Sequence, residues 1–90
     1  MEIEFDPKKN ECNLRERGLS FERAADFDFE TAVTFTEIRY GEIRYVSVGY
    51  LDKRLHLICY LETEEGIRVI SFRKANAREV SRYAKAQAND

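Results

Sequence analysis

The sequence has few of the residues from which metal centres, disulfide frameworks and phosphate-binding loops are built. Its 90 residues include two cysteines, one histidine and four isolated glycines. Cys12 and Cys59 are too few for a disulfide framework and lack the spacing of metal ligands, so we expect two buried free thiols and no metal. The isolated glycines argue against a loop that cradles phosphates, and we expect no cofactor. His56 lies between leucines in a predicted strand, where a structural role is favoured over a catalytic one.

Long hydrophobic runs are also lacking. No apolar run is long enough to span a membrane, and the first residues, MEIEF, do not form a basic and apolar leader. We therefore expect a cytoplasmic protein without membrane contact. Hydrophobic residues make up 43% of the chain and recur in regular blocks, which suits one folded domain. We predict a single domain over residues 1–85 and a disordered tail over residues 86–90.

Two helices follow a short edge strand at the start of the predicted α+β fold. The alternation around Ile3 predicts the strand. A helix then runs from about Pro7 to Arg17, because Asp6 is a good N-cap and Gly18 suits the left-handed residue that ends a helix. Ser20 caps a second, shorter helix whose apolar residues share one face.

An antiparallel meander of about four strands and a last helix complete the prediction. β-branched and aromatic residues predict strands over residues 32–36, 43–50 and 55–62, and a fourth that starts at Ile67. The turns between them carry glycine or aspartate, which favours sequential hairpins. The last helix begins after Asn76, with Glu79 three residues later completing a capping box.

Positive charge gathers in the last strand and the last helix. Residues 67–85 contain six bases and one acid, whereas residues 1–36 contain nine acids and five bases. Charge alone favours a merely solvated surface over an anion site. Regular alternation places Arg68 with Ile70 and Phe72 on one side of the strand, and Ser71 with Arg73 on the other. Arg68 and Arg73 can then contact one phosphate only if the strand bends or ends between them.

Several polar side chains near the ends of the meander have the chemistry for RNA cleavage without a metal. In that reaction a carboxylate removes the proton of a ribose 2′-hydroxyl, arginines stabilise the charge on the phosphate, and an acid protonates the leaving oxygen. Glu42 and Arg44 would equally form an exposed ion pair worth less than about 1 kcal/mol, and the residues alone favour that interpretation. The set comprises Glu42, Arg44, Arg68, Ser71, Arg73 and Tyr83.

Short blocks spread along nearly the whole chain resemble the BrnT toxin family in order and in spacing. The blocks are FDPKK at residues 5–9, NLRERGLSF at 13–21, AA at 24–25, GEIR at 41–44, VG at 48–49 and IRVISFRKA at 67–75, followed by Glu79 and Tyr83. Each block is short, and their shared order makes the resemblance specific.

This resemblance implies a RelE-like ribonuclease fold and a toxin that arrests growth by cleaving RNA. It implies that a BrnA-like antitoxin with a ribbon-helix-helix domain neutralises the toxin in a hetero-oligomer, which represses its own operon. The toxin would reach operator DNA only through the antitoxin. The conserved positions of the family fall at Lys9, Asn13, Gly18, Phe21, Glu42, Arg44, Arg68, Ser71, Arg73 and Tyr83.

The resemblance leads to a set of expected site residues. We expect Glu42 as the base, with Arg44, Arg68, Arg73 and Tyr83 as the other catalytic groups. The expected RNA-binding residues are Lys9, Arg17, Ser71 and Lys74. Arg17 stands where the family usually has the histidine of a Lys-His-Gly motif, and arginine is a poor acid or base near neutral pH. An antitoxin-binding co-repressor with weak or no nuclease activity is therefore the alternative hypothesis.

Overall fold

The chain forms a five-stranded sheet with strand order β1-β5-β4-β3-β2. A pair of helices lies between β1 and β2 in the sequence, and one helix follows β5. The structure is a computed structural model and describes residues 1–88. β1 pairs with β5 in parallel, and all other neighbours are antiparallel. The elements are β1 (Glu2–Glu4), α1 (Pro7–Arg17), a 3₁₀ helix (Phe21–Asp26), β2 (Val33–Arg39), β3 (Glu42–Leu51), β4 (Arg54–Glu62), β5 (Gly66–Lys74) and α2 (Ala77–Ala88).

The predicted α+β architecture is confirmed. α1 has the predicted bounds, because the Asp6 carboxylate accepts from the Lys8 N–H at 2.9 Å and Gly18 ends the helix at φ +66°. The second helix is a 3₁₀ helix capped by Ser20. The four-stranded meander is present, and the N-terminal strand joins it at the edge, so that the sheet has five strands.

The last helix also begins as predicted. The Asn76 side chain accepts from the Glu79 N–H, and Glu79 accepts from the Asn76 N–H, both at 2.9 Å. The helix continues to Ala88. Residues 86–88, which we expected in a disordered tail, are therefore helical, while residues 89–90 of that tail lie outside the described residues. Among the helices of residues 1–88, none is long and apolar enough to cross a membrane.

The two faces of the sheet are covered by different elements. On one face, here called the back face, Phe21 and Ala24 of the 3₁₀ helix and Phe27, which follows it, pack with Ile58 and Phe72 of the sheet. The opposite face, the front face, carries a smaller core. It is formed by Val48, Leu55, Ala75 and Tyr83, the last from α2. Both cysteines are free, but they are half-buried and not buried as we expected.

A β-bulge in β5 changes which side chains share a face. Cys59 of β4 pairs with Ser71, but the next residue, Tyr60, pairs with Val69, so that Ile70 has no partner. Our expectation of regular alternation was therefore wrong. Val69 and Phe72 both belong to the back core. One extra residue in a strand turns the side chains that follow it to the other face, which is what β-bulges do.

Candidate active site

A groove of about 560 Å³ lies on the front face between the sheet and α2. Its floor is largely apolar, and its rim is charged on both sides. The floor consists of Val33, Phe35, Val46, Val48, Leu57 and Cys59, and the polar lining consists of Glu37, Arg39, Ser71, Arg73, Glu79, Arg82 and Tyr83. We call this cavity the front groove.

The β-bulge brings three of the expected site residues onto the front face. Ser71 pairs with Cys59 and Arg73 pairs with Leu57, and both of these partners lie in the groove floor. Arg68 precedes the bulge and now shares their face. It lies beyond the end of the groove, with its guanidinium 3.9 Å from the Glu4 carboxylate. The bend that the sequence required between Arg68 and Arg73 is present.

Arg44 reaches the same face from β3. It pairs across the hairpin with Glu37 of β2. The side chain is half-buried, and its Nε is a buried donor without a hydrogen-bond partner among residues 1–88. An orphaned donor of this kind costs about 1–3 kcal/mol in a folded protein, so it calls for an explanation. Arg44 does not line the front groove itself, but Glu37, its partner across the strand pair, does.

The pKa of Cys59, in the groove floor, depends on several charged residues. Burial raises the pKa of the Cys59 thiol, and the Glu37 carboxylate raises it further. Arg44, Arg39 and Lys9 act in the opposite direction on that pKa. Lys9 belongs to α1, which is anchored beside β5 because Asn13 donates to the Phe72 carbonyl at 3.0 Å. The expected RNA-binding residue Lys9 is thus within electrostatic range of the groove.

Arg73 is engaged by α2. Its two terminal nitrogens donate to the two carboxylate oxygens of Glu79 at 2.8 and 2.9 Å. Because Glu79 also closes the capping box with Asn76, one carboxylate joins β5 to the first turn of α2. Arg73 therefore presents less positive charge to the groove than Arg44, whose guanidinium has no ion pair with a carboxylate among residues 1–88.

We expect this contact to make stability depend on pH below about 5. The Arg73 hydrogen bonds hold the pKa of Glu79 below its ordinary value. The contribution of the Arg73–Glu79 contact to the free energy of unfolding is therefore complete above the ordinary pKa of a glutamate, about 4.3. It is lost as the pH falls through the lowered pKa of the folded state. Glu79→Gln should lower the free energy of unfolding by about 1–2 kcal/mol at pH 7. Urea titrations should show that this difference becomes smaller as the pH falls below about 4.

Glu64→Gln, in the exposed β4–β5 turn, is the matched control and should alter stability little at either pH. A Glu79→Gln deficit of equal size at pH 7 and pH 3 would contradict the assignment of the effect to this ion pair.

Several of the expected site residues lie outside the front groove. Glu42 is exposed at the start of β3 and lines a separate shallow pocket with Leu61. Tyr83 lines the groove, but its ring is buried and its hydroxyl donates to the Thr31 carbonyl at 3.3 Å. Arg17 and Lys74 line a different cavity on the back face. The structure therefore divides the expected site between two faces of the sheet.

Residues of β2 and α2 were missed by the sequence analysis. Glu37 and Arg39 line the groove at its charged end, and their side chains are 3.8 Å apart. The period-two pattern that continues from Val33 and Phe35 could have placed them on the front face. Arg82 lies over the Phe35 ring at 4.4 Å, a contact between distant residues that no local pattern indicates.

The family model described as the ribonuclease toxin BrnT of type II toxin-antitoxin systems matches residues 5–79. The chain belongs to the BrnT toxin family. No curated protein and no solved structure matches it. Membership makes this chain a ribonuclease toxin of a type II system, and such a toxin has an antitoxin as its partner. The resemblance seen in the sequence is confirmed.

A ribonuclease must hold a phosphodiester, so the positive charges near the front groove bear on its function. The basic residues around the groove belong to three elements, namely Arg39 and Arg44 in the β2–β3 hairpin, Arg73 in β5 and Arg82 in α2. No group of three or more histidine, cysteine, aspartate or glutamate side chains within residues 1–88 could hold a metal ion.

Proposed function

We propose that this BrnT-family toxin is a metal-independent endoribonuclease whose RNA substrate binds in the front groove. The main support is Arg44, whose buried Nε has no hydrogen-bond partner in the described part of the chain, on the face that also carries Arg68, Ser71 and Arg73. A guanidinium that is partly dehydrated and lacks a carboxylate partner is suited to a phosphate.

The chemistry is attack of a ribose 2′-hydroxyl on the adjacent phosphorus. A carboxylate takes the hydroxyl proton, the new P–O bond forms, and the P–O bond to the 5′-oxygen breaks, leaving a cyclic phosphate. Arg44 stabilises the charge that develops on the phosphate oxygens, and Arg68 and Arg73 support it from β5. Ser71 can donate a hydrogen bond to the same phosphate.

Two carboxylates compete for the role of base. Glu42 is the residue that the sequence suggests, and Glu37 lies directly across the strand pair from Arg44. We favour Glu37, because it lines the groove whereas Glu42 does not. Lys9 is the acid that protonates the leaving oxygen in this scheme. We assign Tyr83 to packing, since its hydroxyl already donates to Thr31.

The proposal includes the partner and the regulation of the toxin. A BrnA-like antitoxin with a ribbon-helix-helix domain would bind the toxin in the cytoplasm and form a hetero-oligomer with it. Acidic segments of that antitoxin would cover the basic groove, because occupying the phosphate site neutralises a ribonuclease most directly. The complex would repress its own operon, with DNA contacted by the antitoxin alone.

Expression of the toxin without antitoxin tests the activity. We expect growth arrest and degraded total RNA, and we expect the purified chain to cleave RNA equally well in buffer and in excess EDTA. Loss of cleavage in EDTA that returns with a divalent cation would overturn metal independence. The Arg44→Gln variant, purified in the same way, controls for contaminating ribonuclease.

The alternative is an antitoxin-binding co-repressor without nuclease activity. It is favoured by the position of Arg17, which replaces the family histidine and lies outside the front groove, and by the pairing of Arg73 with Glu79. Normal growth and intact RNA during expression of the toxin alone, together with tight antitoxin binding, would establish this alternative.

A further inference from the structure

The cavity on the back face is a second basic site. It has a volume of about 580 Å³ and lies between the end of α1, the 3₁₀ helix, the β3–β4 turn and the end of β5. We call it the back cleft. Its charged and titratable lining consists of Arg17, Arg23, Asp52, Arg54, His56 and Lys74.

One of the basic residues in the back cleft is already neutralised. Arg23 donates to both oxygens of Asp52 at 3.0 and 3.2 Å and to Asp26 at 3.1 Å. Arg17, Arg54 and Lys74 are exposed and form no ion pair with a carboxylate among residues 1–88. The carboxyl end of α1 opposes an anion here with about half a negative charge. The three positive charges of Arg17, Arg54 and Lys74 outweigh this partial negative charge.

A buried histidine also lines the back cleft. The His56 side chain is only 6% exposed, and its Nδ1 lies 2.9 Å from the Arg54 carbonyl oxygen. A carbonyl only accepts, so Nδ1 donates and Nε2 is the acceptor nitrogen of the neutral ring. The ring also contacts Phe72, with centroids 5.8 Å apart. Because the ring lines the cleft, its NMR signals report on an anion bound there.

We propose that the back cleft binds a backbone phosphate of the RNA, outside the front groove, through Arg17, Arg54 and Lys74. The inference extends the proposed ribonuclease function to a second contact on the same substrate. Lys74 follows Arg73 in β5 and points to the opposite face, so that a strand leaving the groove can pass around this end of the sheet. A 20-nucleotide strand at roughly 3.4 Å per nucleotide outspans the protein, whose longest dimension is 37 Å.

The test uses the full chain, the Arg17→Gln/Lys74→Gln double variant, and a control with the same change of charge. Lys8→Gln/Arg15→Gln is the control, because both side chains are exposed on α1 and line neither cavity. NMR follows the chemical shifts of the His56 ring at fixed pH as inorganic phosphate is added. Binding of a 2′-O-methyl RNA 20-mer, which has no free 2′-hydroxyl and cannot be cleaved, is measured over a range of salt concentrations.

We expect phosphate to shift the His56 ring signals with saturation in the wild type and the control, but not in the double variant. The double variant should bind the 20-mer at least about tenfold more weakly at low salt. Its plot of log affinity against log salt concentration should be less steep by about 1.4, since each of two lost phosphate contacts accounts for roughly 0.7 of the slope for single strands.

His56 ring signals that stay unchanged as phosphate is added would overturn the anion site. A phosphate response with the same 20-mer affinity in all three proteins would show a site for free phosphate and overturn the RNA contact. Because the 20-mer cannot be cleaved, the RNA contact can be established even if unmodified RNA remains intact and the proposed nuclease activity fails.

Discussion

Replacing Arg44 with glutamine should lower kcat/KM for RNA cleavage by about 100-fold or more. Removing one preorganised donor to a developing oxyanion typically costs about 2.7–4 kcal/mol of transition-state stabilisation. Arg44 has the properties of such a donor, because within residues 1–88 its buried Nε has no hydrogen-bond partner and its guanidinium forms no ion pair with a carboxylate. Glutamine keeps much of the side-chain volume but loses the charge and the forked geometry that suits phosphate.

The stability of the same variant should distinguish a functional from a structural role. Arg44→Gln removes a buried donor that lacks a partner, so we expect an unchanged or slightly larger free energy of unfolding. Arg39→Gln is the matched control, because Arg39 lines the groove but is exposed. Single-turnover cleavage and urea unfolding should be measured on both variants. A cleavage rate within a few-fold of wild type in Arg44→Gln would remove Arg44 from the mechanism.

Phe72→Ala should lower the free energy of unfolding by about 3–5 kcal/mol, the usual range for a buried phenylalanine. The side chain has no exposed surface and packs edge to face with Phe27 at 6.1 Å between ring centroids. Its backbone carbonyl also accepts from Asn13, so a shift of β5 here would disturb the anchor of α1. A domain of this size has roughly 5–15 kcal/mol in total, and the variant should be close to unfolding at 37 °C.

Phe72→Leu is the control for this substitution and should cost less than half as much, because most of the buried volume is kept. Urea unfolding followed by circular dichroism gives both values. A loss below about 1 kcal/mol for Phe72→Ala would contradict the burial of Phe72 on the back face, and with it the change of face at Ile70.

The architecture could be predicted from the sequence because its signals are local. Asp6, Gly18 and the Asn76–Glu79 capping box fix helix ends through contacts within a few residues, and each occurs as expected. The strand bounds follow from β-branched and aromatic residues between clear turns. That Arg44 and Ser71 share one face could not be predicted from the sequence. It depends on how β5 pairs with β4, and the bulge at Ile70 has no local signature in the sequence.

The candidate site was predicted less completely, for two physical reasons. First, the partners of the charged residues are distant in sequence or lie on other elements, so that the neutralisation of Arg23 by Asp52 could not be foreseen. Second, residues near one another in the chain can lie on opposite faces. Arg73 and Lys74 are neighbours, yet one lines the front groove and the other lines the back cleft.

The unpaired residue in β5 sets the face of every side chain that follows it in the strand. Exchanging Ile70 for another apolar side chain leaves the parity of every later position intact. Deleting it would remove the bulge, and Ser71, Phe72 and Arg73 would keep their present faces in regular alternation after Val69. Pairing Ile70 regularly with β4 would instead move Ser71 and Arg73 to the back face and turn Phe72 out of its core, so the bulge itself separates the interior from the functional surface in this half of the strand.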